Sequence, residues 1–588
     1  MTSVPFLLAQ NIKFTNWMTP MWLISVGVAI GFIIVLLMMA KIVVIQRIGG
    51  LNSVTEKPVL RTVLGVLLGL IYLGLFIGFS YWRTGPEIFD SNFVMPVCFA
   101  AVMCMVIGFG AWNVVSRSMI GEIWGIFREG FLGWVNKICV GLTVMAVLGF
   151  VLAQFNGFGI AKFVDEPMEL VDSLVRLPFT GKFSSEFELP GVAETDTGTP
   201  IQVDFDGREL QYITIKSNRR LDLAAVPMTP DLQANAVVDV PARDEPVLFV
   251  QRPDGRGPIP NAAVESLFFR NTGRADLVAK VKLEWMVAPI YQEVSIIPGI
   301  AFLVVMTYLL YMILATMCPK VFAIAHSTFK TEVNQPLFLL VMVVGGLFLV
   351  GSIYVPYNTF GEDIKMYKDS GLTLIRVLAI FFAIWAASKS VAEEIEGRTA
   401  LTVLSKPVGR RQFIFGKFTG ISMAIGLMFI VLGLWFVLWT SYKPIYDYQE
   451  ASKGLCEWPE CFTEAIHVIP GIFLCFLEVL IFVAISVAIS TRFGILANFL
   501  ICFSVYVLGH LTPLLVQSSF AAFEPVVVFG QLIAIVFPVL NHFDVQAAIN
   551  TNSPVPMAYM GWSIIYTALY GGMAMLLALV LFEDRDLA

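Results

Sequence analysis

The chain has 588 residues, of which 57% are hydrophobic and only 14% are charged, and its mean hydropathy is +0.79. Soluble domains carry about 25% charged residues, so this composition predicts an integral membrane protein. A net charge of −6 argues against nucleic acid as a partner. Four His and eight Cys without CxxC or HExxH spacing argue against a metal or haem site.

Eleven apolar runs are long enough, at roughly 20 residues, to cross a bilayer core as helices. The first 20 residues lack the basic start and cleavage site of a signal peptide, so we expect the first run to direct insertion. The predicted spans are 21–41, 63–82, 93–114, 135–155, 297–318, 337–356, 373–392, 416–440, 469–490, 495–516 and 559–582.

A further apolar run, 525–540, is shorter and is broken by Gly530 and Pro538. We interpret it as a re-entrant or interfacial segment, because a broken backbone at membrane depth must be shielded by protein. Counted this way, the connecting segments on one side of the membrane carry seventeen Lys and Arg against six on the other. Basic residues are enriched in cytoplasmic loops. The pattern predicts a membrane protein with an outer N-terminus and a cytoplasmic C-terminus.

The chain divides into four predicted regions by composition. Residues 1–155 form an N-terminal membrane module of four spans, 296–318 form a fifth span, and 319–588 contain the remaining six. Between them, residues 156–295 are less hydrophobic and contain short alternating runs such as LQYITIKS and VAKVKLEWM, separated by turns such as RPDGRG. These features predict an all-β, sandwich-type domain on the outer side of the membrane, which shapes an entrance or docks an extracytoplasmic partner.

The segment EEIEGRTALTVLSKPVGRRQFIFGKF, residues 393–418, concentrates charge between two predicted spans. Gly397 and Pro407 leave room for about two helical turns between them. Glutamates precede this short helix and basic residues follow it, as the helix dipole favours. The pattern predicts a compact cytoplasmic helix joined directly to both spans; a charged loop that only anchors them at the interface is the alternative.

This segment resembles the signature of type-2 ABC transporter permeases, which carry an acidic cluster, a short hydrophobic helix, a Lys-Pro-x-x-Arg turn and a Gly-Lys entry to the next span. AIAHSTFKTEVNQPLFLL (323–340) is similar to the amphipathic elbow helix of that family, STRFG (490–494) to its tight inner turn, and LVLFEDRDLA to the end of its last span. The resemblance covers about 319–588. On the elbow, one face is predicted to hold Val321, Phe322, Ala325, Phe329 and Val333.

The resemblance implies a coupling helix at about 394–413, on which a separate ABC ATPase subunit docks. The sequence has no GxxxxGK[ST] phosphate loop. ATP and Mg are therefore expected on that subunit, with no cofactor and no enzymatic activity on this chain. A second permease chain, identical or homologous, is also implied. By motif position, the coupling residues are Glu394, Glu396, Gly397, Arg398 and Thr399 at the entry and Lys406, Pro407 and Arg411 at the end; Gly409 replaces a common Ser or Thr.

The N-terminal half departs from the family pattern and leaves the substrate open. Two functions stay open: transport, with export favoured over import, and a non-transporting scaffold that relays ATP-driven motion to an extracytoplasmic partner. The amphipathic segment 116–137, with Phe131 and Trp134 on its apolar face, is interpreted as an interfacial brace rather than a second docking site.

Several single residues carry separate hypotheses. Glu478 lies in mid-span, where an ionised side chain costs about 2.5–3.5 kcal/mol. It is either a polar contact or proton-linked switch in the transport path, or a hydrogen-bonded fastener between helices. His510 is interpreted as structural, and Arg376 as an interfacial side chain without a special role. Cys456 and Cys461 lie in a predicted outer loop at a spacing that permits a disulfide.

Overall fold

In the computed structural model the described residues form two compact units, one helical and one all-β. Eight helices in the described part of the chain are long and apolar enough to cross a membrane, and Ile495–Leu511 is a shorter apolar helix. The prediction of a multi-pass α-helical membrane protein is therefore confirmed. The structure describes residues 17–47, 130–154, 173–174, 181–189, 198–225, 238–250, 259, 263–271, 278–289, 291–355, 357, 359, 362–394, 409–452, 456–517, 528 and 537–583.

Nine of the eleven predicted spans correspond to helices, and the spans predicted at 63–82 and 93–114 lie outside the described residues. A π-helix, Ser388–Glu393, continues α6. The helices are α1 (Thr19–Arg47), α2 (Gly130–Gln154), α3 (Ile296–Met317), α4 (Pro319–Val333), α5 (Pro336–Gly351), α6 (Asp363–Ala387), α7 (Arg410–Glu450), α8 (Trp458–Ile466), α9 (Ile469–Ser490), α10 (Ile495–Gln517), α11 (Gln546–Asn550) and α12 (Met557–Glu583).

The β unit consists of two antiparallel sheets of four strands each, which confirms the predicted all-β architecture. One sheet has the order β1-β8-β3-β6 and the other the order β2-β7-β4-β5. Both sheets contribute to one core, in which Phe187 of the first contacts Phe269 of the second at 5.3 Å between ring centroids. The strands are β1 (Gly181–Leu189), β2 (Thr199–Asp206), β3 (Leu210–Ser217), β4 (Leu221–Ala224), β5 (Val238–Val240), β6 (Arg243–Val250), β7 (Ala263–Asn271) and β8 (Ala279–Val287).

Two strands, β1 and β4, were missed by the sequence pattern. In β1, alternate residues are charged or small, and the strand is held to β8 by cross-strand ion pairs such as Lys182–Glu284 at 3.1 Å. This contact lowers the pKa of the Glu284 carboxyl. The period-2 alternation GKFSSEFEL was the available signal. β4 has only four residues, LDLA, too few to show a period.

Helix α7 is the central element of the helical unit and packs against α4, α6 and α9. Its 41 residues span about 60 Å, twice the thickness of a bilayer core. Two glycines allow close approach to α4: a Cβ at Gly416 would lie 2.6 Å from Ile324, and one at Gly420 would lie 2.6 Å from the carbonyl oxygen of Ala325. The N-terminal helices pack on the same core, where Phe131 of α2 contacts Phe329 of α4.

The segment compared with the elbow, 323–340, covers most of one helix and the start of the next, at which the span predicted at 337–356 begins. Helix α4 ends at Val333 and α5 begins at Pro336, because a proline disfavours helical backbone at the preceding residue. Ala325 and Phe329 are buried as predicted, whereas the other three predicted face residues are only half-buried. The remaining buried positions of α4 are Ile324, Thr328 and Glu332.

Two other interpretations fall mostly outside the described residues. Of the predicted re-entrant segment 525–540, the structure describes residue 528 and residues 537–540, and the backbone N–H of Val539 donates to the hydroxyl of Tyr566 at 2.9 Å. Of the predicted brace 116–137, residues 130–137 are described and belong to α2. There Phe131 is buried and Trp134 is exposed, although residues three apart in a helix lie on the same side of it.

The close packing of α7 on α4 gives a stability prediction. Gly420→Ala places a methyl group against backbone, which cannot move aside, and we expect a loss of roughly 1–3 kcal/mol and a lower Tm in detergent. Gly572→Ala is the control, because a Cβ there meets nothing within 4 Å and alanine favours the helix. Equal Tm changes in the two variants would contradict the packing argument.

Candidate functional site

The coupling segment, residues 394–413, is described only at its two ends. Glu394 follows the π-helix at the end of α6, and Gly409 precedes α7, which begins at Arg410. Arg411 is exposed on the first turn of α7. The other predicted coupling residues, Glu396, Gly397, Arg398, Thr399, Lys406 and Pro407, lie outside the described residues.

An ion pair closes the base of the coupling segment. The ammonium group of Lys417 on α7 lies 2.5 Å from Oε1 of Glu394. Lys417 is almost buried and Glu394 about one-third exposed, so water screens the attraction only partly. The pair joins the end of α6 to the second turn of α7, and the two ends of the segment therefore cannot separate without breaking it.

The start of α7 also has a polar contact with the end of α12. The guanidinium of Arg410 donates to the carbonyl oxygen of Glu583 at 2.8 Å. From the turn between α9 and α10, Arg492 donates to the carbonyl oxygen of Leu581 at 2.8 Å. Both arginines satisfy carbonyls that the end of a helix leaves unpaired, and their positive charge suits the negative end of the dipole. The start of α7 and the 490–494 turn are thus bound to α12.

Gly409 is the position at which this sequence departs from the family motif, where a Ser or Thr is common. It occupies the N-cap of α7 in extended conformation, and its backbone N–H donates to Oε1 of Gln412 at 3.2 Å. A Ser or Thr at this position could cap the helix with its own side chain. Here the cap interaction comes from Gln412 instead, so the glycine is compatible with a helix that begins at Arg410.

A buried polar cluster underlies the π-helix. Nδ2 of Asn498 lies 2.8–2.9 Å from the hydroxyls of Ser388, Ser486 and Ser490, which are all buried. Ser388 is the first residue of the π-helix. Single π-turns inside α-helices occur frequently at functional sites. The cluster fixes the helix end from which the coupling segment leaves.

Within the membrane unit, Glu478 of α9 is fully buried and faces Arg376 of α6, with 3.4 Å between Oε2 and Nη1. His510 of α10 places Nε2 at 3.8 Å from the other carboxylate oxygen. The interpretation of Arg376 as an interfacial side chain is wrong: it is 8% exposed and pairs with Glu478. The missed signal was the presence of opposite charges within two apolar spans, since a buried charge requires a partner.

A small cavity of about 10 Å³ borders Arg376. It is lined in part by Arg376, Cys475 and Asp544 and has room for one water molecule. Among the described residues, Nε of Arg376 and Oε1 of Glu478 have no hydrogen-bond partner. The ion pair joins α6 to α9.

Two more buried cations lie far from the coupling segment, and sequence reasoning assigned both to loops. Lys368 of α6 contacts the carboxylate of Glu464 on α8 and donates to Oδ1 of Asn552 at 3.0 Å. Lys443 of α7 pairs with Asp447 at 2.7 Å and donates to a backbone carbonyl of the 352–354 turn. Both lysines are at most 1% exposed. Both lysines lie outside the predicted apolar runs, because α6 begins before its run and α7 ends after its run.

The cysteines of the predicted disulfide lie side by side near the start of α8. The Sγ atoms of Cys456 and Cys461 are 3.7 Å apart, longer than the S–S bond of about 2.05 Å. Both side chains are buried. A bond between them stays a prediction.

One group of carboxylates has the spacing of metal ligands. Asp363, Asp447 and Glu450 bring their oxygens within 4.8 Å of one another. Lys443 already compensates the charge of Asp447, and the hydroxyl of Thr359 donates to Asp363. These contacts satisfy Asp447 and Asp363, two of the three carboxylates, without a metal ion.

The fold defines a multi-pass membrane protein in which paired charges join several helices, among them α6 and α7 at the two described ends of the coupling segment. Residues 354–587 match the family model described as ABC-2 family transporter protein. This region, from the end of the 352–354 turn to α12, is therefore an ABC-2 family transporter domain, and the resemblance to type-2 ABC permeases is confirmed for it. A search of curated proteins finds no match to this chain.

The buried pair gives a second prediction. Glu478→Leu leaves the Arg376 guanidinium buried without a counter-charge and should cost about 3–5 kcal/mol. The double variant Arg376→Met, Glu478→Leu removes both charges and should recover most of the Tm measured in detergent. If the double variant is as unstable as the sum of the single variants, the two side chains do not interact.

Proposed function

We propose that this chain is the permease subunit of an ABC transporter, driven by ATP hydrolysis on a separate subunit that docks on the coupling segment. The observation that carries the proposal is the coincidence of two features. The ABC-2 domain at 354–587 contains the coupling segment, and both described ends of that segment are bound to membrane helices. A polar loop that only anchored two helices would need no such contacts.

The contacts give a route for motion. The Glu394–Lys417 pair holds the ends of α6 and α7 together, so a subunit that pulls on the segment moves both helices as one body. Arg410 transfers the displacement to the end of α12, and Arg492 joins α12 to the turn between α9 and α10. The charged side chains of the segment, among them Glu396, Arg398 and Arg411, form the docking surface for the ATPase.

The arrangement of the subunit in the cell follows from the distribution of basic residues. We place the coupling segment in the cytoplasm and the β unit outside an inner membrane, and we infer that a second permease chain completes the transport pathway. Export is the favoured direction.

A specific observation supports the alternative of a relay without transport. Each buried cation of the ABC-2 domain described so far, Arg376, Lys368, Lys417 and Lys443, faces a carboxylate of the same chain. Paired charges fasten helices and do not offer a polar path to a solute. This pattern fits a relay to the β unit, or a cargo as apolar as a lipid.

The docking proposal is tested by affinity capture from native membranes with copurifying proteins identified by mass spectrometry. We expect a nucleotide-binding ATPase with the wild type and its loss with Glu396→Ala, Arg398→Ala. The control is Glu362→Ala, Lys365→Ala, which removes an exposed ion pair before and within the first turn of α6 and should retain the ATPase. An unchanged set of partners in the first variant would refute docking on this segment.

Transmission is tested separately from docking. Lys417→Met should still bind the ATPase, but the change in hydrogen exchange that ATP and vanadate produce at the end of α6 and the start of α7 should be strongly reduced, because the ends of these two helices are no longer tied. Lys365→Met is the matched control and should respond like the wild type. A full response in Lys417→Met would show that the ion pair transmits no motion.

A further inference from the structure

We propose that Cys456 and Cys461 form a disulfide in the mature protein, and that this bond holds α8 in the position from which Glu464 neutralises Lys368. The proposal rests on one part of the proposed function, the placement of this end of the helical unit outside the cytoplasm, where disulfides persist. It does not depend on the docking of an ATPase.

The geometry brings the two sulfur atoms together without any other element between them. Cys456 lies two residues before α8, and Cys461 lies on its first turn. Their Sγ atoms, 3.7 Å apart, need to approach by only about 1.7 Å to reach bonding distance. Both side chains are buried in one apolar cluster with Ile445 of α7. Packing against a second helix thus keeps the pair in place.

The oxidation is a two-electron step with a defined acceptor. The two thiols release two protons and two electrons as the S–S bond forms, and the disulfide of an exported thiol oxidase takes them up to become a dithiol. The contact with Cys461, together with burial, raises the pKa of the Cys456 thiol. Little thiolate is then present in the folded protein at neutral pH. Oxidation is therefore expected during folding, before α8 packs and while the thiols are accessible.

The bond has a consequence for a buried charge. Glu464 lies three residues after Cys461 on the nine-residue helix α8, and its carboxylate contacts Lys368 and accepts a hydrogen bond from Asn552 at 2.8 Å. The other hydrogen-bond acceptors of Lys368 in the described residues are neutral oxygens. Short helices fray at their ends. A covalent link at the start of α8 limits that fraying and so maintains the carboxylate that contacts this ammonium group.

The disulfide itself is tested on the full chain isolated from cells. Denaturation in N-ethylmaleimide without reductant, followed by peptide mass spectrometry, should give a 456–461 peptide with no label and a mass two hydrogens below the dithiol. Treatment with dithiothreitol first should give two labels. Cys475, buried in α9, is the internal control and should be labelled in both samples once the protein is denatured. Two labels on 456–461 without reductant would overturn the proposal.

If the disulfide is absent, a second experiment shows whether the geometry or the cellular compartment is the cause. The purified reduced protein is incubated with oxidised glutathione. Bond formation under this treatment alone would show that the geometry is suitable but that the loop faces a reducing compartment in the cell. No bond in either sample would show that the geometry is unsuitable. Both results contradict the proposal, and ATPase capture from the same membranes reports independently on the proposed function.

The effect on α8 is read by hydrogen exchange. Dithiothreitol should increase exchange across 458–466 in the wild type, and Cys456→Ser, Cys461→Ser should show that increase without reductant. Cys475→Ser should retain the response of the wild type. If reduction leaves exchange in α8 unchanged, the bond does not hold the helix and this part of the proposal fails.

Discussion

A charge inside a membrane-spanning unit must be neutralised within the protein, and this constraint organises the ABC-2 domain. Four buried cations lie on the two helices that flank the coupling segment, Arg376 and Lys368 on α6 and Lys417 and Lys443 on α7. Their partners belong to α6, α7, α8 and α9. Ion pairs of this kind contribute little net stability compared with apolar packing, but they are costly to break singly. The three pairs that join different helices, those of Arg376, Lys368 and Lys417, therefore specify which helices remain adjacent, while the apolar surfaces provide most of the cohesion.

The sequence could predict the elements that depend on local properties, but not the pairing of charges across helices. Apolar runs and basic loops identified nine of the helices, because length and hydropathy are local properties. The strands of the β unit were found wherever the alternation was apolar enough, and β1 was missed because its outward residues carry cross-strand charges. Pairing across helices is not local. Arg376 and Glu478 are 102 residues apart, and nothing in either span indicates which helix faces the other.

The candidate site shows this division as well. The motif at 393–418 was visible in the sequence, whereas the contacts at its two described ends were not. Glu394 was singled out as a coupling residue, but its partner Lys417 was interpreted only as part of the Gly-Lys entry to the next span. Arg410 and Arg492 bind carbonyl oxygens of α12, and backbone acceptors leave no trace in side-chain patterns. The segment compared with the elbow, 323–340, runs past Pro336, where α5 begins, so its end overlaps the span predicted at 337–356.

The length of α7 gives the domain the geometry of a lever. A rod of about 60 Å that tilts by about 5° about its base displaces its far end by about 5 Å, comparable to the pitch of one helical turn. Close packing against α4 near the base, at Gly416 and Gly420, provides a natural fulcrum. A small displacement at the coupling segment would be amplified at the opposite end, where Lys443 and Asp447 lie on the final turns of the same helix.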